Sequence, residues 1–313
     1  MPRLRLGLLI DDLEFEDTYQ ELVWRTAQEI AREEDFDLVV YPGRGSLRPD
    51  DSGRGHAALY RLVKPGFLDG VVVSPTVSTP MDDAEREAFV LSLEGLPAVT
   101  FSVAAGKMPM VEVRTEQGLR DMLDHLVTVH HRKRIAMVRG SEAHGEARFR
   151  HRLWAEVMEK HGLPHGPELT VIGDFNARDI DDHLKALLGS SGGFDALFCV
   201  NDRIALAAVR SLRRAGFRIP EDVSVCGFDD IPQARVATPP LTSVHQPIGP
   251  QVRVAFQLLL DCIAGRPVPS VTTLESFVVL RGSCGCSPEA WSTEPVADPG
   301  RQPPPPVVSG DPK

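Results

Sequence analysis

Val200-Asn201-Asp202, then Val223-Ser224-Val225-Cys226-Gly227-Phe228-Asp229-Asp230, then Pro240-Leu241-Thr242-Ser243-Val244-His245-Gln246-Pro247, is the stretch that decides how this chain folds. Two apolar runs, residues 195–200 and 223–228, each stop on amide or acid side chains. Between them residues 202–215 carry a helical pattern, closed by Gly216 and kept closed by Pro220. Strand, helix and strand in that order predict a parallel pair. Asn201 and Asp229 then stand at the carboxyl ends of strands, where open α/β sheets bind ligands.

The same alternation extends outward in both directions. Residues 4–10, 36–41, 70–74 and 97–101 are short buried strands. Tyr19, Leu22, Val23, Thr26, Ala27 and Ile30 recur at helical spacing, as do Leu119, Met122, Leu123, Leu126 and Val127. The pattern restarts with a strand at 134–139, a helix at 149–161 and a strand at 169–173. A late helix covers 251–263. Near-continuous apolar strands alternating with helices predict an α/β fold with parallel sheets covered on both faces. The restart near residue 132 predicts two such lobes. Residues 287–313, with Pro303-Pro304-Pro305-Pro306, read as a Pro-rich linker or disordered tail.

Composition narrows the function classes. The 313 residues are 42% hydrophobic, enough for two cores of ordinary size. A net charge of −10 and 6% aromatics weigh against a basic nucleic-acid face or a base-stacking platform. Five cysteines, three of them inside apolar patterns, predict no disulfide framework and a reduced, cytoplasmic setting. The first apolar run is short and followed at once by carboxylates, so it reads as a strand and not a leader. No run reaches the length of a membrane span.

The quoted stretch resembles the effector-binding core of the LacI/GalR repressor family, which has the periplasmic-binding-protein type 1 fold. The resemblance covers roughly residues 4–283 and is most specific in its second half. It implies two Rossmann-like lobes with parallel sheets, joined by three crossovers, with ligand held between them. The lobes would be residues 1–131 plus 246–270 and residues 132–245 plus 271–286. It further implies a small-molecule effector (a sugar, sugar derivative or nucleoside-like metabolite) and a homodimer. By this resemblance Asn201 and Asp229 hydrogen-bond ligand hydroxyls or ring nitrogens. Arg150 clamps ligand, Phe175 packs on a ring face, and Tyr19 is the aromatic at the start of the first helix. Arg114 stands where the family usually has an acid after the strand 111–113. Arginine cannot accept a hydrogen bond, so an anionic ligand, or a neutral sugar held differently, is implied. Leu153-Trp154 replaces the family's small Gly-Phe pair.

The first strand begins at Leu4, so the resemblance implies a chain without the family's DNA-reading head and without direct nucleic-acid contact. Arg281-Gly282-Ser283-Cys284-Gly285-Cys286 resembles the end of LacI-type sensory modules fused to signalling outputs. The main expectation is therefore a sensor domain that signals by lobe closure to a partner or fused output module. The alternatives are the effector domain of a LacI-type transcriptional repressor and an extracytoplasmic sugar receptor.

Each residue also has a plain structural reading. Asn201 and Asp229 can be caps or turn residues, Asp202 the N-cap of the next helix, and Asp230 a loop contact. Arg150 can lie on a solvated helix face, Phe175 in a core, and Arg114 beside Glu112 or Glu116. Gly43-Arg44-Gly45-Ser46 lacks the Walker pattern. Cys284-Gly285-Cys286 lacks the second half of a zinc pattern. No metal, cofactor or catalytic set is expected, and no enzyme, since neither a nucleophile elbow nor a dinucleotide fingerprint occurs.

Overall fold

The computed structural model describes residues 3–11, 18–43, 57–78, 83–101, 108–142, 145–173, 177, 179–190 and 192–291. These form two compact units. One takes the chain through Val113 and again over Pro247–Leu274, and the other takes Arg114–Gln246 and the chain from Glu275. Among the described residues the chain thus passes from unit to unit three times, at 113/114, 246/247 and 274/275. The helix Glu116–Thr128 packs on strands of the second unit, so this division falls earlier than the restart near residue 132.

In the first unit the strands are β1 (Arg5–Ile10), β2 (Asp37–Pro42), β3 (Gly70–Val73), β4 (Ala98–Phe101), β5 (Met110–Arg114) and β11 (Val271–Glu275). Their order is β11-β5-β4-β3-β1-β2. β3 is buried at every position and β1 at five of six, as a sheet covered on both faces requires. The helices Thr18–Glu33 and Ile248–Ile263 cover it, with Phe36 and Phe256 stacked at 5.5 Å.

The second unit repeats the plan. Its strands are β6 (Ile135–Arg139), β7 (Thr170–Ile172), β8 (Ala196–Cys199), β9 (Ser224–Asp229), β10 (Thr242–His245) and β12 (Phe277–Val279). Their order is β12-β10-β9-β8-β6-β7, parallel except for the β10–β12 pair. Trp154 is fully buried here, and its indole N–H donates to the Ile135 carbonyl at 3.2 Å. The bulky pair at 153–154 is thus absorbed by this core. β11 and β12 were not legible as strands. Each is short, and β11 is only half-buried along its length, so neither shows a clean apolar run. No helix among the described residues is long and apolar enough to cross a membrane.

Candidate functional site

The second sheet winds from β6 out to β7 and then back past β6 to β8. Its switch point lies between β6 and β8, and ligands of open α/β sheets bind beyond the carboxyl ends there. Arg139 ends β6, Asn201 follows β8, and Asp229 ends β9.

Asn201 caps the helix Asp202–Arg214. Its backbone is extended, and its side-chain oxygen accepts from the Ile204 N–H at 2.9 Å. The sequence reading gave that role to Asp202, and the structure corrects it. Asp202 is fully buried, accepting from the Ser243 hydroxyl at 2.6 Å and the Ile231 N–H at 2.9 Å. Burial, and then the charge of Asp229, push its carboxyl well above the ordinary value. Gly227 makes room for it, since a Cβ there would overlap Asp202 Oδ1 and sit 3.1 Å from its Cα.

Asp229 and Asp230 both have positive φ, +109° and +56°. Such backbone costs on the order of 1–3 kcal/mol per residue and persists only where surroundings enforce it. Asp230 supplies the enforcement, and it does far more than a loop contact. It is buried, receives Arg281 Nη2 at 2.5 Å, His245 Nδ1 at 3.0 Å and Arg235 Nη2 at 3.2 Å, and its own N–H donates to Ser243 Oγ. Burial pushes this carboxyl up, but the bonds from His245 and Arg281 outweigh it and hold it below the usual range. Asp229 is thereby fixed in place, with one oxygen accepting from Gln246 Nε2 at 2.6 Å.

Arg150 does not lie on a solvated face. It is 7% exposed, donates to the Val200 carbonyl at 2.7 Å, and its guanidinium lies 3.6 Å from the centre of the Phe228 ring. Arg139 is ion-paired with Glu142. The Nε atoms of both arginines are buried with no acceptor among the described residues. Burial, and then the Arg139 charge, hold His151 below the ordinary histidine value. Arg139 was missed in the sequence, where it reads only as the last residue of a strand. The available signal was a cation at the carboxyl end of a buried run beside the switch point. Buried donors beside Asn201 and Asp229 suit a ligand rich in hydroxyl groups.

The comparisons with known proteins agree with this architecture. A model of the periplasmic binding protein-like domain family matches residues 123–284. The HTH-type transcriptional regulator CelR of Thermobifida fusca is 31% identical over 256 residues, which cover 80% of this chain and 72% of that protein. The chain belongs to the LacI family. The HTH-type transcriptional repressor CytR of Escherichia coli (strain K12) is 30% identical over 183 residues, 58% of this chain and 53% of that protein. The match thus spans about half the length of CytR. Among solved structures, a CelR–cellobiose complex superposes with a TM-score of 0.75 at 26% identity, covering 90% of this chain and 86% of that one. A lac repressor dimer bound to operator and the anti-inducer ONPF gives 0.76 at 21% identity, covering 90% and 94%, and speaks for the fold alone.

The other predicted site residues of this LacI-family chain lie elsewhere. Tyr19 is half-buried at the start of the first helix and packs against the core of the first unit. Arg114 is more than half exposed at the end of β5 and sits 3.7 Å from Glu275. Phe175 falls outside the described residues, as do most of the glycine-rich segment 43–55 and the tail beyond residue 291. A groove of about 840 Å³ in the first unit, lined by Arg86, Leu91, Leu96 and Met108, lies toward the amino ends of β4 and β5 and away from the strand ends that bind ligand. Cys284-Gly285-Cys286, which lacks the second half of a zinc pattern in the sequence, has His125 and His130 brought next to it by the fold.

Proposed function

We propose that this LacI-family chain is the effector-binding domain of a cytoplasmic transcriptional regulator, holding a small hydroxyl-rich metabolite at the carboxyl ends of β6, β8 and β9. Arg150 carries the reading. A buried guanidinium pinned by the Val200 carbonyl and the Phe228 ring keeps a donor beside Asn201 and Asp229. Such a site rejects analogues lacking the matching hydroxyl, because each buried group left unpaired costs about 1–3 kcal/mol. The relatives support a regulatory role, and the cellobiose in the CelR complex makes a disaccharide the first ligand to test. Ligand acts by favouring a closed arrangement of the lobes, and the signal passes to a second copy of the chain or to an output segment. No catalytic step is proposed.

The test is thermal unfolding against cellobiose, other disaccharides, sugar acids, nucleosides and purines, with Asp229→Ala in parallel. A cognate ligand at a hundredfold over its Kd should add about 2.7 kcal/mol. Asp229→Ala should lose that gain while keeping its far-ultraviolet circular dichroism. No gain with any compound, or a gain that Asp229→Ala retains, would overturn the proposal.

A further inference from the structure

The second unit holds a group of metal-ligating side chains that the effector site does not use. The helix Glu116–Thr128 ends in a turn where the N–H groups of Val129 and His130 both reach the His125 carbonyl, at 3.0 and 3.3 Å. That turn folds His130 back over His125, with ring centres 4.8 Å apart. Far along the chain, Cys284 and Cys286 flank Gly285, whose φ is +116°. A Cβ at 285 would approach His130 Nδ1 to 2.9 Å, so glycine is needed both for the backbone and for the histidine. Cys284 is fully buried, and the other three ligands are half-buried.

The four ligand atoms lie within 4.8 Å of one another. The two Nε2 atoms are 3.0 Å apart. Cys286 Sγ is 3.2 Å from His125 Nε2 and 3.4 Å from His130 Nε2, and Cys284 Sγ is 4.0 Å from His125 Nε2. Around zinc, with bonds of roughly 2.0 Å to nitrogen and 2.3 Å to sulfur, a tetrahedron has edges of about 3.3 Å between nitrogens and about 3.5 Å between nitrogen and sulfur. The nitrogen–nitrogen spacing falls a little short of its edge, and the nitrogen–sulfur spacings lie on both sides of theirs. Two thiolates neutralise a divalent ion, and an S2N2 tetrahedron selects zinc over the harder cations.

We propose that His125, His130, Cys284 and Cys286 bind one zinc ion in a closed structural site. The site clasps the segment after β12 to the turn that precedes β6. Four protein ligands leave no open position for catalysis, so the ion acts on folding and on the anchoring of the carboxyl-terminal segment. Ser224 at the start of β9 donates to the Cys284 carbonyl at 2.8 Å, and the Trp291 indole N–H donates to the Cys286 carbonyl at 3.2 Å. The clasp therefore lies beside the start of β9 and against Trp291.

The full chain, purified under reducing conditions, should carry one zinc per molecule by elemental analysis. Cobalt(II) added to the metal-free chain should give the intense visible bands of a tetrahedral ion and a thiolate charge-transfer band, both saturating at one equivalent. His130→Gln and Cys286→Ser should each abolish that saturation, and Cys262→Ser, in the first unit, should leave it intact. A folded wild-type chain that gives no tetrahedral cobalt spectrum would overturn the proposal without reference to any variant. A spectrum retained by both His130→Gln and Cys286→Ser would overturn it equally, as would a Cys284–Cys286 disulfide that survives reduction.

Discussion

The two ends of the second sheet are built from different chemistry. At its carboxyl ends, Arg139, Arg150, Asn201 and Asp229 are held by hydrogen bonds, an ion pair and a ring contact, with arginine donors left over among the described residues. At the start of β9, two thiols and two imidazoles converge until their ligand atoms fill one another's neighbourhood. Unused donors fit a ligand that comes and goes. A set that closes on one ion fits a permanent fastening. The five parallel strands keep the two apart, because their carboxyl ends all point one way, and antiparallel β12 carries Cys284 and Cys286 toward their amino ends.

Arg281 joins the two ends. Its guanidinium pairs with Asp230, while its carbonyl oxygen lies 3.1 Å from Cys284 Sγ. Asp230→Ala should therefore have the largest effect, a loss of about 3–5 kcal/mol in urea unfolding, since it leaves a buried guanidinium uncompensated. A loss below 1 kcal/mol would show that the carboxyl end does not depend on this pair. Gly227→Ala should cost about 1–3 kcal/mol by forcing Asp202 aside, with effector binding weakened and cobalt uptake unchanged. Equal damage to both readouts would erase the separation of the two ends.

The two buried acids should respond to pH in opposite directions. Asp230 is held below its ordinary value, so its contribution is present above about pH 4 and is lost as pH falls through its folded value. Asp202 is held above its ordinary value, so the folded chain keeps a proton that the unfolded chain releases. Asp202→Asn should gain on wild type as pH rises above about 4, the ordinary carboxyl value, followed as the unfolding midpoint at each pH. A constant difference would mean that Asp202 does not titrate between the two states. Arg114→Ala should have the smallest effect, within about 0.5 kcal/mol and without change in effector binding, because its ion pair is exposed.

Much of the carboxyl end was legible in the sequence. The runs at 195–200 and 223–228 became β8 and β9, and the acids after them stand at strand ends as the alternation required. The errors there are of one residue or one partner. Asn201 caps where Asp202 was expected, and Arg150 is buried where helix periodicity allowed a solvated position. A cap and its neighbour share the same residue preferences, so only the direction of the chain at the turn separates them.

The Cys–His end shows the opposite case. Cys284-Gly285-Cys286 is a half-motif whose partners lie 156 and 161 residues earlier in the pairs that meet. No local spacing rule spans that distance, and the chain visits the first unit in between. The sequence by itself determined strands, helices and the polar strand ends, because steric preference and burial periodicity act over a few residues. Only the tertiary structure decided which distant side chains meet. That depends on β12 lying antiparallel beside β10 and on the helix Glu116–Thr128 packing against it, both of which are settled by the order of strands in the sheet.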